Sequence, residues 1–279
     1  MDAFLSSLDA GFIDVRNPFN AASVRRVSLA PEDVDCLVFW TRDPRALVAN
    51  LDRLGGLRDR FFVHVTVTGY PRALEPGVAP TDAAIAAVEA LAARIGRERI
   101  AWRYDPVILA GPLDRAFHIA NFSRLAEVLA ASVSRIVLSL LDEYATTRGR
   151  LERAGFDSAL FGSPRGIASE TGSPAFGTVS GSRRPSPSEP WPELLVSLAS
   201  IAASHGLAVG ACAEPFDLAP YGIAASPCVD GAELARLFGF ATSANRDGGQ
   251  RKACLCAPSV DVGEYGACPA SCVYCYARR

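Results

Sequence analysis

The sequence predicts an α/β fold: a (β/α) barrel or partial barrel of about six parallel strands. Three observations lead there. Strand-like runs alternate with amphipathic helical runs along most of the chain. Several strand runs pair an apolar face with a polar one. Five of the eight cysteines fall within residues 254–279, where a loop from the strand ends can gather them. The 279 residues are ample for a sizeable core, and a single domain over 1–279 is expected.

The first elements are two short strands within 11–29, around an Asn-Pro-Phe-Asn turn. Strand runs then follow at 34–41, 61–68, 99–105, 135–141 and 207–214, with a shorter candidate, PSVDVG, at 258–263. Helical spacing marks 44–54, 81–95, 116–132, 192–205 and 230–240, with Thr81 and Asp230 as expected N-caps. Residues 161–190 are dominated by Gly, Ser and Pro and have little to bury, so they read as a flexible insert.

Charge and hydropathy narrow the function classes. Net charge is -2, so no general basic field favours nucleic acid. Mean hydropathy is +0.17, yet no apolar run approaches the ~18 residues of a membrane span. The first residues lack the basic and apolar regions of a signal peptide. A soluble cytoplasmic protein is expected. Reducing cytosol disfavours disulfides, so clustered thiols there read as metal ligands or redox groups.

The strand faces single out candidate site residues. Val63, Val65 and Val67 share one face of their strand, while His64, Thr66 and Thr68 share the other. The polar face is expected to look into the lumen. Arg103 and Asp105 share a face near their strand's carboxyl end, where barrel active sites lie, and are the candidate catalytic pair. Thr66 and Glu214 are candidate cofactor contacts on the same side.

Cys268, Cys272 and Cys275 form C-x3-C-x2-C, with Tyr274 just before the third thiol. Three thiolates suit a [4Fe-4S] cube held at three irons, with the fourth iron open to an outside ligand. A zinc site ordinarily needs a fourth protein ligand. The pattern is similar to the C-x3-C-x-aromatic-C motif of radical S-adenosylmethionine enzymes. That resemblance implies S-adenosylmethionine as cofactor, with Tyr274 against the edge of the cluster site. Cys212, Cys228, Cys254 and Cys256 are candidates for a second site, expected to hold an iron–sulfur cluster, with zinc as the alternative. Cys36 reads as a core residue.

A wider resemblance rests on VRNPFN (15–20), VDCLVFWTRDP (34–44), VTGY (67–70), WRYDP (102–106), CAE (212–214) and the terminal block 254–277. These segments resemble the family called domain of unknown function 1848, whose C-terminal cysteines are noted as similar to the radical-enzyme motif. Arg42 stands where that family usually has Lys, so a role needing a lysine amine is in doubt here. In ordinary radical enzymes the cysteine loop follows the first strand. Here only four residues follow Cys275. The resemblance therefore implies a circular permutation, with 258–263 as the strand beside 34–41. LEPGVAPTDAAIAAVEAL (74–91) also resembles the middle of spore photoproduct lyase-like enzymes, which raises a nucleic-acid lesion enzyme that the net charge does not favour.

The leading expectation is a radical S-adenosylmethionine enzyme acting on a small-molecule or peptide substrate, with an external electron donor. The alternative is a non-catalytic iron–sulfur or zinc protein serving electron transfer, sensing or scaffolding.

Overall fold

A computed structural model of the chain describes residues 1–17, 20–142, 144–156, 191–214, 217–242, 245–263, 266 and 268–278. The insert expected at 161–190 lies outside the described residues. Helix α1 (Asp2–Ala10) leads into a hairpin of β1 (Phe12–Asn17) and β2 (Asn20–Ser28), paired antiparallel. The main sheet then runs β3 (Leu37–Thr41), β4 (Phe61–Thr66), β5 (Ile100–Val107), β6 (Arg135–Leu140), β7 (Ala208–Ala211) and β8 (Ala224–Ala225). Spatial order follows sequence order and every pairing is parallel. The architecture is a six-stranded parallel α/β sheet flanked by helices, consistent with a partial barrel.

After the short α2 (Arg45–Val48) come α3 (Thr81–Ile95), α4 (Arg115–Leu129), α5 (Ala145–Arg153), α6 (Trp191–Ser204) and α7 (Gly231–Phe238). The long crossover helices α3, α4 and α6 form because their sequences supply one apolar stripe each. Val88 and Leu91 of α3, Phe122 and Leu125 of α4, and Leu194 and Leu198 of α6 pack in one core. The facing strand residues are Val63, Val65, Trp102, Tyr104, Ile136 and Leu138, the odd or even set that alternation assigns to one face. Trp102 stacks on Phe122 with ring centroids 4.9 Å apart and donates its indole N–H to the Val67 carbonyl at 2.8 Å. The opposite face carries Phe62, Ala101 and Val137. It is covered by Val229, Leu234 of α7, Cys254 and Cys256.

Several expectations need correction. Residues 258–263 form no strand, so the neighbour required beside β3 by the permuted order is missing and β3 is an edge of the sheet. The sixth strand is Ala224–Ala225, too short and too bland to stand out in sequence. Thr81 does not cap α3: it is the first helical residue and makes no capping bond. Asp230 does cap α7, accepting from Glu233 N at 3.0 Å. Asp114 caps α4 in the same way through Phe117 N at 2.7 Å. Among the described residues no helix is long and apolar enough to cross a membrane.

His118 on α4 is fully buried beneath the carboxyl end of β5. Its Nε2 faces the Ile108 carbonyl at 2.8 Å, and its Nδ1 faces the Tyr104 hydroxyl at 2.9 Å. Nε2–H therefore donates and Nδ1 accepts, which is the neutral ring. Burial pulls its pKa down to about 4. The unfolded chain takes up this proton near the ordinary value of about 6.5, so the contribution is complete above that pH and fades toward 4. Global stability should fall by on the order of 3 kcal/mol over that window from this residue. Urea unfolding across the window should show a shallower pH slope in His118→Gln, and an unchanged slope would reject the assignment.

Candidate metal centres

Two cysteine groups sit in different places. The first is the loop 268–275, which docks on the rim formed by the carboxyl ends of the strands. Its cover is Ala270, Cys272, Val273 and Tyr274, packed with Tyr70 and Leu74 after β4, Ile108 after β5 and Leu141 after β6. Val273 N donates to the Leu74 carbonyl at 2.8 Å, and Gly77 N donates to the Ala270 carbonyl at 3.0 Å. A Cβ on Gly77 would sit 2.2 Å from the Pro269 carbonyl oxygen, so only glycine permits this approach. Arg150 of α5 clamps the other side, donating to the carbonyls of Val273 at 3.0 Å and Cys275 at 2.6 Å.

Beneath this loop lies a buried polar cluster. Glu75, only 4% exposed, accepts from Thr68 Oγ1, from Arg42 at 2.7 Å and from the Tyr274 hydroxyl. Arg42 also donates to the Tyr274 oxygen. The guanidinium fork reaches both partners, a geometry a lysine ammonium does not reproduce. Burial opposes the Arg42 charge, but Tyr274, Glu75 and Cys272 around it hold its pKa above the usual range. Burial raises the Cys272 thiol pKa, an effect that nearby Arg42 partly offsets. Tyr274 thus turns its hydroxyl into this cluster. The sequence analysis places Thr68 on the polar face of its strand but does not single out Glu75. The one signal was an acidic residue inside the apolar loop YPRALEPG. Cys268 is exposed, Cys272 buried and Cys275 half-buried.

The second group lies on the sheet face opposite α3, α4 and α6. Cys212 follows β7, Cys228 follows β8, and Cys256 arrives from the segment after α7. Their sulfurs lie within 4.8 Å of one another, with Cys212 and Cys256 3.9 Å apart. Cys254, expected as a fourth member, is buried in the same cluster but lies outside this tight triad. Two consecutive amides, Cys228 N at 3.2 Å and Val229 N at 3.4 Å, donate to Cys256 Sγ. Thiols of Cys212 and Cys228, with the Val229 amide, lower the Cys256 pKa to about 4, while contacts with Cys228 and Cys256, and burial, raise that of Cys212. This cysteine group can hold a metal ion. Among the described residues, Cys268, Cys272 and Cys275 do not make so tight a group.

Arg103 connects the second group to the strand ends. One guanidinium N–H donates to Cys228 Sγ at 2.8 Å, while Nε donates to Asp105 at 2.9 Å. Burial disfavours the Arg103 charge, and Asp105 and Cys228 more than restore it. The proposed catalytic pair is therefore an ion pair on the inner face, bonded to a cysteine. Thr66 is paired in register with Arg103 across β4 and β5. Glu214 accepts from Leu140 N at 3.0 Å and lines a small cleft with Ala211, Ala213, Asp217 and Ala253. His64 is fully buried, stacks on Trp40 and bonds the Cys228 carbonyl at 2.8 Å.

A family model described as a domain of unknown function (DUF1848) matches residues 1–277. The chain belongs to this family. No curated protein and no solved structure matches the chain.

Gly77→Ala should lift the cysteine loop off the rim at a cost of about 1–3 kcal/mol. In the metal-free chain, alkylation of buried Cys272 should become much faster, while that of exposed Cys268 should not change. Mass-spectrometric footprinting reads both rates, and an unaltered Cys272 rate would reject the docking.

Proposed function

We propose that this chain is an iron–sulfur protein of the radical S-adenosylmethionine type, with Cys268, Cys272 and Cys275 as the protein ligands of a [4Fe-4S] cluster. The observation that carries the reading is the docking of this three-cysteine loop on the strand-carboxyl rim, the face that hosts chemistry in parallel α/β folds. When bound, such a cluster with one open iron supplies electrons that cleave S-adenosylmethionine to methionine and a 5′-deoxyadenosyl radical.

The residues of this chain have definable tasks in that scheme. Arg42 places a fixed positive charge beside Cys272, which favours its thiolate and offsets charge on a cluster. Glu75 and Tyr274 hold the guanidinium in place. Cys268 lies on the solvent side, which suits approach of an electron donor, while Cys272 lies on the protein side. Thr66, Arg103, Asp105 and Glu214 present hydroxyl, cation and carboxylates along the inner face, where a small-molecule or peptide substrate would be oriented. The loop arrives from the C-terminal segment and its Tyr274 meets Arg42 directly after β3.

A second reading, a metal protein without catalysis, is favoured by one observation. The compact thiol group is Cys212, Cys228 and Cys256, not the rim loop.

Anaerobic reconstitution followed by iron and sulfide counts separates the two. About four of each should be bound at the rim loop and be lost in Cys268→Ser/Cys272→Ser/Cys275→Ser. Dithionite and S-adenosylmethionine should then yield 5′-deoxyadenosine. Intact cluster with no nucleoside product would favour the second reading, and no cluster on these thiols would overturn the first.

A further inference from the structure

The geometry points to a single tetrahedral zinc ion held by Cys212, Cys228, Cys254 and Cys256, closed to outside ligands and separate from the rim loop. Ligand type alone suits zinc or an iron–sulfur cluster, and spacing favours a single ion over a cubane, with zinc the usual ion of closed four-cysteine sites. Four sulfurs about 2.3 Å from one zinc are about 3.8 Å from each other. Thiolates on the corners of a cubane stand further apart, about 6–7 Å. Cys212 and Cys256 are 3.9 Å apart and the three sulfurs fall within 4.8 Å, which is the single-ion spacing. Cys254, buried in the same cluster two residues before Cys256, stands outside that tight triad and is assigned as the fourth thiolate, turning in when the ion binds.

The surroundings are those of a built thiolate site. Two backbone amides and one buried guanidinium point at these sulfurs, at 3.2 Å and 3.4 Å on Cys256 and 2.8 Å on Cys228. N–H donors and a cation are what a negatively charged zinc–thiolate centre needs to offset its charge away from water. The ligand segments are themselves tied down. Ala257 N donates to the Val229 carbonyl at 2.9 Å, and Asp247 N donates to the Cys256 carbonyl at 2.9 Å. Four protein ligands leave no open position, so this ion is structural. It fastens the segments after β7, β8 and α7 across the inner sheet face and holds Arg103 against Asp105. Nothing in this inference depends on a cluster at Cys268, Cys272 and Cys275.

The test uses the full chain, purified in air without added metal, and plasma mass spectrometry for metal content. About one zinc per chain is expected, with little iron. Cys212→Ser and Cys256→Ser should lose it, while Cys268→Ser/Cys272→Ser/Cys275→Ser should keep it. If the serine variants fail to fold, the metal-free chain refolded with cobalt gives a second measure. Intense visible bands of tetrahedral thiolate cobalt should develop and shift in Cys254→His, as one sulfur is replaced by nitrogen. Stoichiometric iron with inorganic sulfide lost from Cys212→Ser, zinc lost only from the rim-loop variant, or an unchanged cobalt spectrum in Cys254→His would each overturn the assignment. A chain that keeps this zinc but never builds a cluster on the rim loop would instead overturn the radical-enzyme reading and leave this site standing.

Discussion

One buried carboxylate holds distant parts of this chain together. Glu75 Oε1 receives the Thr68 hydroxyl after β4, the Arg42 guanidinium after β3 and the Tyr274 hydroxyl near the C-terminus. Tyr274 and Arg42 are 232 positions apart in sequence, so this contact closes a long loop around the sheet. Taking a carboxylate and a guanidinium out of water costs several kcal/mol per ion, and only complete pairing offsets it. Removing one partner leaves a buried charge unpaired, at about 3–5 kcal/mol. The docked cysteine loop, the buried state of Cys272 and the Arg42 charge beside it all depend on this arrangement.

The sheet was legible in the sequence because its physics is periodic. The strands at 34–41, 61–68, 99–105 and 135–141 declared themselves through apolar runs flanked by helical spacing. The split of His64 and Thr66 from Val63 and Val65 correctly divided the two faces. Most failures were non-periodic. Ala224 and Ala225 form a strand only because β7 lies beside them, and no propensity signals that. One failure was periodic: the segment 258–263 alternates apolar and polar residues yet does not pair with the edge that β3 presents, since pairing depends on tertiary context. Helix α5 has little apolar character, so periodicity could not reveal it. Yet its Arg150 supplies the clamp on the cysteine loop.

The sites were legible to different degrees for the same reason. Cysteine identity is read directly from sequence. Convergence of Cys212, Cys228 and Cys256 could be argued from their positions at strand and loop ends, and the structure brings these three together. The partners that tune them were invisible. Glu75 is one acidic residue among 30 until burial and three donors distinguish it.

The two cysteine groups share one electrostatic arrangement despite lying at different places on the sheet. At the rim, Arg42 sits between Glu75 and Cys272. On the inner face, Arg103 sits between Asp105 and Cys228. In each case a buried arginine is held by a carboxylate and offers its remaining charge to a sulfur. Arginine suits this because its planar fork satisfies two partners at once and never deprotonates. The carboxylate alone would be neutralised by the arginine, so a sulfur that carries negative charge gives the buried cation a second reason to remain there. What separates the groups is closure. The inner-face sulfurs are packed against one another beneath α7. The rim thiols run from exposed Cys268 to buried Cys272, leaving one side of the loop open to what arrives from solvent. A closed group would fit a structural role and an open one would fit exchange with a second molecule.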